Sequence, residues 1–232
     1  MAHEVTGRRA FLQAGLAAAI FTPPIDPVYI FGPVARRAQL TIDACRAGKD
    51  VWVEAPVCSS LEEGHRMIEA ARRYGRIVQA GTVRRSAVEW QRAREIVRRG
   101  ELGKISFCRM TGADRAHLVD AVQFVLGDIA PLSVEAQGCD GAVRLATFHY
   151  PTLVASWENI PGATERVTFH GAHSTLTIGP SDGRLAHRRN FIDCMRTRRA
   201  PVSDIETSVR STAACLEADM ALRSLSQLEA FS

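Results

Sequence analysis

The chain has 232 residues, 46% of them hydrophobic, and a formal net charge of +4. This length and composition suffice for one large or two small hydrophobic cores and exclude a chain that is disordered throughout. The 29 cationic and 25 anionic side chains are interspersed, which argues against nucleic acid as a partner. Only Lys49 and Lys104 are lysines, so few positions could supply a lysine acid or base.

Residues 1–24 resemble an export leader. Arg8 and Arg9 precede the small apolar run at residues 14–21, and Pro23 and Pro24 follow it. This order resembles a twin-arginine signal and predicts an exported, periplasmic protein; without such a signal the chain would be cytoplasmic. The run is too short to span a bilayer, so no membrane span is predicted. The alternative is an amphipathic or buried first helix that happens to carry two arginines.

Residues 25–103 alternate short apolar strands with helical patterns. The predicted strands are residues 28–31, 51–53 and 77–80, and the predicted helices are residues 34–46, 60–74 and 86–99. This alternation predicts parallel strands joined by right-handed crossovers, as in part of a Rossmann-like α/β fold. The phosphate-binding turn G-x-G-x-x-G occurs nowhere in the 232 residues. We therefore expect the first strands of that fold to be missing and residues 28–31 to form a bare apolar edge.

The pattern of short strands and turn residues in residues 104–232 predicts a second, α+β domain, with a mostly antiparallel sheet and flanking helices. The predicted strands are residues 104–110, 132–137, 143–149, 153–157, 166–170 and 175–178, and the predicted helices are residues 114–126 and 203–224. Ser203 is the expected N-cap of the last helix, with Glu206 three residues later.

No metal site is predicted from the cysteines or histidines. The six cysteines are scattered without C-x-x-C spacing, so we expect most of them to be buried apolar residues. His170 and His173 form an H-x-x-H, but their position between two short strands favours a turn feature over a metal pair.

Several segments carry a family resemblance in their order along the chain. They are AGKDVWVE (47–54), VQAGTVRRS (78–86), GELGKI (100–105), HLVD (117–120), SWEN (156–159), GAHSTL (171–176) and NFIDCMR (190–196). Together they resemble the Gfo/Idh/MocA family of oxidoreductases, which includes glucose-fructose oxidoreductase and inositol dehydrogenase, and its twin-arginine-exported branch. The resemblance implies NAD or NADP as cofactor, a sugar or polyol as substrate, and a homo-oligomer formed through the C-terminal sheet.

The resemblance also implies site residues at the matching positions. The implied catalytic residues are His117 and Asp120, and the implied cofactor neighbours are Glu54, Pro56, Gln79 and Arg84. Other roles stay open for several of them. His117 could be an inert residue of a helix face, Asp120 a structural partner, Glu54 a turn residue and Arg84 a surface residue.

The chain departs from the family pattern at three places. Ala55 stands between Glu54 and Pro56, where the family has a lysine that handles the proton, and a methyl group can do no such chemistry. Residues 32–37 lack the polar residues that the family places beside the nicotinamide. Asp114 lies one position out of phase, a shift that on a helix would turn its carboxylate about 100° away from His117.

Two hypotheses follow from these matches and departures. In the first, the chain is an NAD(P)-dependent oxidoreductase acting on a sugar or polyol, with His117 as the surviving acid or base. In the second, it is a non-catalytic remnant that binds carbohydrate or acts as an assembly partner. The combined loss of the phosphate turn, the lysine and an aligned acid favours the second hypothesis.

Overall fold

Two β-sheets organise the part of the chain that the computed structural model describes. That part is residues 27–229, with side chains as far as residue 224. The segment predicted to be an export leader, residues 1–24, lies outside the described residues.

The first sheet is parallel, as predicted. Its strands β1 (Val28–Ile30), β2 (Val51–Val53) and β3 (Val78–Ala80) lie side by side in chain order. Helices α1 (Val34–Arg46) and α2 (Leu61–Tyr74) make the crossovers. Strands β2 and β3 are fully buried because helices cover both faces of the sheet.

The two edges of this sheet differ. Among residues 27–229, β1 pairs only with β2, and the side chains of Tyr29 and Phe31 are exposed there. On the opposite edge, the Ala80 N–H donates to the carbonyl of Ser203 at 3.0 Å, so a segment from the C-terminal part covers β3. Within residues 27–229, β1 is therefore an edge strand, and the expectation that the first strands of the fold are missing stays a prediction.

The second sheet has six strands in the order β5-β6-β7-β4-β8-β9. All neighbouring pairs are antiparallel except β4 with β7, so the prediction of a mostly antiparallel sheet is confirmed. The strands are β4 (Ile105–Thr111), β5 (Ser133–Cys139), β6 (Ala142–His149), β7 (Val154–Glu158), β8 (Arg166–Gly171) and β9 (Thr175–Ile178). Side chains on one face, such as Cys108, Phe148 and Phe169, form the core with α3 (Val88–Arg98) and α4 (Arg115–Val125).

Two C-terminal helices return to the first sheet. Helix α5 (Arg184–Thr197), which the sequence analysis did not predict, packs Phe191 and Met195 on Trp52. Helix α6 (Ile205–Glu229) places Val209 in the core of the first sheet and Cys215 in the core of the second. The domain boundary between residues 103 and 104 stays a prediction. Although α5 and α6 follow this boundary in the chain, both contribute residues to the packing of the first sheet.

Two predicted helix starts are corrected. Residues Val83–Ser86 form a 3-10 turn, and α3 therefore begins at Val88. The cap of α6 is Asp204, whose carboxylate accepts the N–H of Thr207 at 2.8 Å. The predicted cap, Ser203, is buried and hydrogen-bonds Thr82 instead, because its backbone is held against β3.

The cysteines fit the expectation of buried apolar residues. Five of the six are buried, and Cys139 in the β5–β6 hairpin is exposed. Within residues 27–229, no helix combines the length and the apolar character needed to cross a bilayer.

Candidate functional site

The carboxyl ends of β2 and β3 face the start of α4, and the site lies between them. Glu54 directly follows β2, and Gly81 directly follows β3. The 3-10 turn after β3 carries Arg84, and the first turn of α4 carries His117. In open α/β sheets, ligands bind outside the carboxyl ends of the strands, so this is the expected place for a site.

The imidazole of His117 lies between two carboxylates. Its Nδ1 is 2.8 Å from Asp114 Oδ2, and its Nε2 is 3.6 Å from Glu54 Oε1. The prediction that Asp114 is turned away from His117 is wrong. Asp114 is the N-cap of α4, where its side chain folds back over the first turn and also accepts the His117 N–H at 3.3 Å.

These carboxylates set the charge of the ring. Burial lowers the pKa of His117, but the hydrogen bond with Asp114 and the nearby carboxylate of Glu54 outweigh burial and raise the pKa to about 9. Burial raises the pKa values of Glu54 and Asp114, and their contacts with His117 overcome this effect, so both end below their ordinary values. At neutral pH the cluster is therefore an imidazolium between two carboxylates.

Arg84 lies in this cluster and not on the open surface. Its Nε donates to Glu165 Oε1 at 3.0 Å, its Nη2 forms a second short contact with Glu165 Oε2, and its Nη1 is 4.0 Å from Asp114 Oδ2. The Arg84 side chain is 13% exposed. Arg84 and His117 thus supply hydrogen-bond donors to the cluster, and Glu54, Asp114 and Glu165 supply acceptors.

Asp120 has the structural role that the sequence left open. Its carboxylate is fully buried and accepts two hydrogen bonds from Arg85, at 2.8 and 2.9 Å, and one from Ser211 at 2.8 Å. Arg85 also donates to Asp128 at 2.6 Å. Burial lowers the pKa of Arg85, but these carboxylates outweigh burial and raise it. Asp120 therefore joins α4, α6 and the 3-10 turn.

Gln79 also lies away from the cluster. Its Nε2 donates to the carbonyl of His187 at 3.0 Å, on the face of the first sheet that α5 covers. The His187 ring bonds the Ala80 carbonyl at 2.8 Å and the Ser86 hydroxyl at 2.7 Å. Gln79 therefore belongs to the packing of α5 on the sheet.

The described residues do not by themselves form a dinucleotide cradle. Arg37 occupies the ends of β1 and β2, where it donates to the carbonyls of Gly32 (3.0 Å), Glu54 (3.1 Å) and Pro56 (2.7 Å). The cis peptide Ala55–Pro56 lies beside it, with a methyl group and no amine. The turn after β1 has a single glycine, Gly32, where a phosphate-binding loop has several.

A metal is not indicated in the described part of the chain. Residues 27–229 contain no group of three or more His, Cys, Asp or Glu side chains that could hold a metal ion. His170 lies on β8 and stacks on Phe107, and His173 lies in the turn that follows, against Gly103.

Sequence reasoning missed three members of the site. Asp114 carried a signal, because an aspartate immediately before an apolar helix is a typical N-cap. Arg37 and Glu165 carried none, since each reaches the site through a tertiary contact with a residue far away in the chain.

Comparison with known proteins supports the assignment of the fold. Residues 8–82 match the family model GFO_IDH_MocA, described as "Oxidoreductase family, NAD-binding Rossmann fold". The scyllo-inositol 2-dehydrogenase (NAD(+)) of Bacillus subtilis is 34% identical over 101 residues, which are 42% of this chain and 30% of that protein. In structure, the chain resembles a probable dehydrogenase from Thermotoga maritima with a TM-score of 0.76 and 16% identity, over 88% of this chain and 80% of the other.

A second solved structure of similar fold is the WlbA dehydrogenase from Bordetella pertussis in complex with NADH and UDP-GlcNAcA. It has a TM-score of 0.73 and 16% identity, over 85% of this chain and 77% of that chain. The matches to six curated relatives span between 25% and 37% of the length of those proteins. Residues 8–82 thus match a domain of the Gfo/Idh/MocA oxidoreductase family, and the chain has inositol dehydrogenase-like homologues over part of its length.

Proposed function

We propose that the cluster at the carboxyl ends of β2 and β3 binds a sugar or polyol, and that this chain by itself turns such a ligand over weakly or not at all. The proposal combines the family, whose relatives include inositol dehydrogenases, with the chemistry of the site in this chain. The observation that carries it is the cluster of Glu54, Arg84, Asp114 and His117 beside Ala55, which has a methyl group at the position where the family has a lysine.

The polar groups of the cluster match a polyhydroxyl ligand. Carboxylate oxygens of Glu54 and Asp114 accept hydrogen bonds, and Arg84 and the protonated ring of His117 donate them. Sugar hydroxyls both donate and accept hydrogen bonds, so adjacent hydroxyl groups of a ligand can replace the contacts that these side chains make with one another.

His117 is better prepared to give a proton than to take one. A base must be neutral to abstract the proton of an alcohol, and the pKa of about 9 keeps this ring protonated at neutral pH. Oxidation of an alcohol would need the ring to lose its proton first. This requirement adds to the effect of Ala55 and supports weak turnover with the family's cofactor, NAD or NADP.

The test measures ligand binding and cofactor binding separately. Thermal unfolding of the purified chain with inositols, hexoses and hexitols should show stabilisation by at least one of them, because ligands that bind the folded state raise its stability. A His117→Gln variant should lose this shift. A His65→Gln variant should keep it, because His65 is exposed on α2. Titration with NADH and NADPH, followed by nicotinamide fluorescence, should show no micromolar binding. Micromolar binding, or no response to any polyol, would refute the proposal.

A second candidate function is that of an assembly partner. One face of the six-stranded sheet carries polar residues such as Thr147, Ser156 and Thr168, of which Ser156 is buried and the others are half-buried. The helices α4 and α6 pack on the opposite face. This open face supports association through the sheet, with or without ligand binding at the cluster.

A further inference from the structure

Gly81 lies against the carboxylate of Glu54. A Cβ atom added at Gly81 would stand 2.6 Å from Glu54 Oε1 and 3.0 Å from both Cδ and Oε2. The backbone of Gly81 cannot retreat freely, because its N–H donates to the Val53 carbonyl at 2.8 Å. The φ angle of Gly81 is not in the left-handed region, so its backbone conformation does not require glycine. What requires glycine is the lack of space for a side chain.

We propose that Gly81 is a positioning residue, which by lacking a side chain lets the Glu54 carboxylate lie over the end of β3 beside His117, where it favours the protonated form of the ring. The inference deepens the proposed ligand site. Only its consequence for ligand binding rests on the proposed function, since the charge of the ring can be measured without a ligand.

The contacts of Glu54 explain why one methyl group would matter. Its Oε1 atom accepts the Ala55 N–H at 3.1 Å and is also the atom nearest to His117 Nε2. The new Cβ would therefore displace the same oxygen that faces the ring. Because the end of a glutamate side chain rotates easily, we expect the carboxylate to move and the backbone to stay.

The other charged groups around the ring do not depend on Gly81. Asp114 contacts Nδ1 from the N-cap of α4, and Arg84 approaches Asp114 from the 3-10 turn while paired with Glu165. Arg37 faces Glu54 from α1. Displacement of Glu54 removes one of the two carboxylates that favour the protonated ring and leaves Asp114 and Arg84 in place.

The experiment is an NMR titration of the His117 ring in the full chain, with its signals identified from their loss in His117→Gln. In Gly81→Ala we expect the pKa of His117 to fall by about one unit, the size of shift that one nearby carboxylate produces. The matched control is Gly179→Ala, since Gly179 has no atom within 4 Å of the added Cβ and no left-handed φ. It should leave the titration unchanged.

A double variant separates displacement of Glu54 from other effects. Glu54→Gln alone should lower the pKa as Gly81→Ala does, and the two changes together should lower it no further than Glu54→Gln alone. An unchanged pKa in folded Gly81→Ala, or additive shifts in the double variant, would overturn the inference. Failure of Gly81→Ala to fold would overturn it too, because the methyl group would then meet the backbone and not the carboxylate. Absence of polyol binding by the unmodified chain would refute the proposed function and leave this titration result standing.

Discussion

Because its pKa is raised in the folded state, His117 should make the protein less stable as pH rises. The folded pKa of about 9 lies above the ordinary value of 6.5, so the stabilisation is complete below pH 6.5 and is lost as pH rises to 9 and above. The His117 side chain is only 16% exposed, and the shift corresponds to a stabilisation on the order of 1 to 3 kcal/mol.

The corresponding prediction compares urea unfolding at pH 6.5 and pH 9.5. The unmodified chain should lose stability between these values, and His117→Gln should lose less by on the order of 1 to 3 kcal/mol, because glutamine does not titrate. The control His65→Gln should behave as the unmodified chain does. Equal pH dependence in all three proteins would contradict the assigned charge of the ring.

Replacement of Asp120 tests its structural role in the buried ion pair with Arg85. Replacing it with alanine leaves the Arg85 guanidinium buried with only Asp128 beside it, and breaking a buried pair costs about 3 to 5 kcal/mol. Asp193 on α5 is exposed, so Asp193→Ala should change the free energy of unfolding by less than about 0.5 kcal/mol. Chemical denaturation measures both. Similar values for the two variants would show that Asp120 is not part of a buried ion pair.

Ala55→Lys should not restore turnover. The new amine would supply a proton carrier, but the ends of β1 and β2 would still hold Arg37 and no phosphate loop. We expect no oxidation of inositols or hexoses with NAD or NADP above the background of the unmodified chain. Clear activity of Ala55→Lys would show that the lysine alone had been lost and that cofactor binding survives.

At the residue scale, the sequence predicted positions better than contacts. The resemblance placed Glu54, His117 and Arg84 in one site, and the structure brings them together. It also placed Gln79 and Asp120 there, but both belong to buried packing. A motif gives the order of residues along the chain, whereas the direction of a side chain depends on the helix that packs against it.

At the scale of elements, strands were easier to predict than α5. The strands β2 and β3 are short apolar runs between clear turns, and each of the nine strands of the described residues overlaps a predicted segment. Helix α5 carries Arg184, Arg188, Arg189 and Arg196 around a few apolar residues, which hides its buried stripe. Its buried face is defined by the sheet on which it packs, and that information is not local.

The packing of α5 gives a prediction for this scale. Phe191 is fully buried and makes edge contacts with Trp52 and Tyr29, at ring-centroid distances of 5.7 and 6.1 Å. Phe191→Ala should therefore destabilise the chain by about 3 to 5 kcal/mol. Leu185 on the same helix is 64% exposed, and Leu185→Ala should cost less than about 0.5 kcal/mol. Equal effects in urea unfolding would mean that α5 does not cover this sheet.

At the scale of the whole molecule, α6 joins the two cores. Ile205 and Val209 belong to the core of the first sheet, and Ala214, Ala218 and Leu222 belong to that of the second. The continuous helix and the ion pair of Arg85 with Asp120 resist separation of the two parts. The cluster around His117, with residues from both parts, is therefore held in a fixed geometry.

The open face of the six-stranded sheet gives the last prediction. Thr147 on β6 lies opposite Ser156 on β7, which in turn lies opposite Arg109 on β4, in the middle of that face. If two chains associate through this face, the unmodified protein should sediment at a multiple of 25.4 kDa. Thr147→Arg would place an unpaired charge at the centre of the contact, so this variant should sediment as a single chain. Glu69→Arg changes charge on the exposed side of α2 and should leave the assembly intact. A monomeric unmodified chain, or equal effects of both variants, would exclude self-association through this sheet.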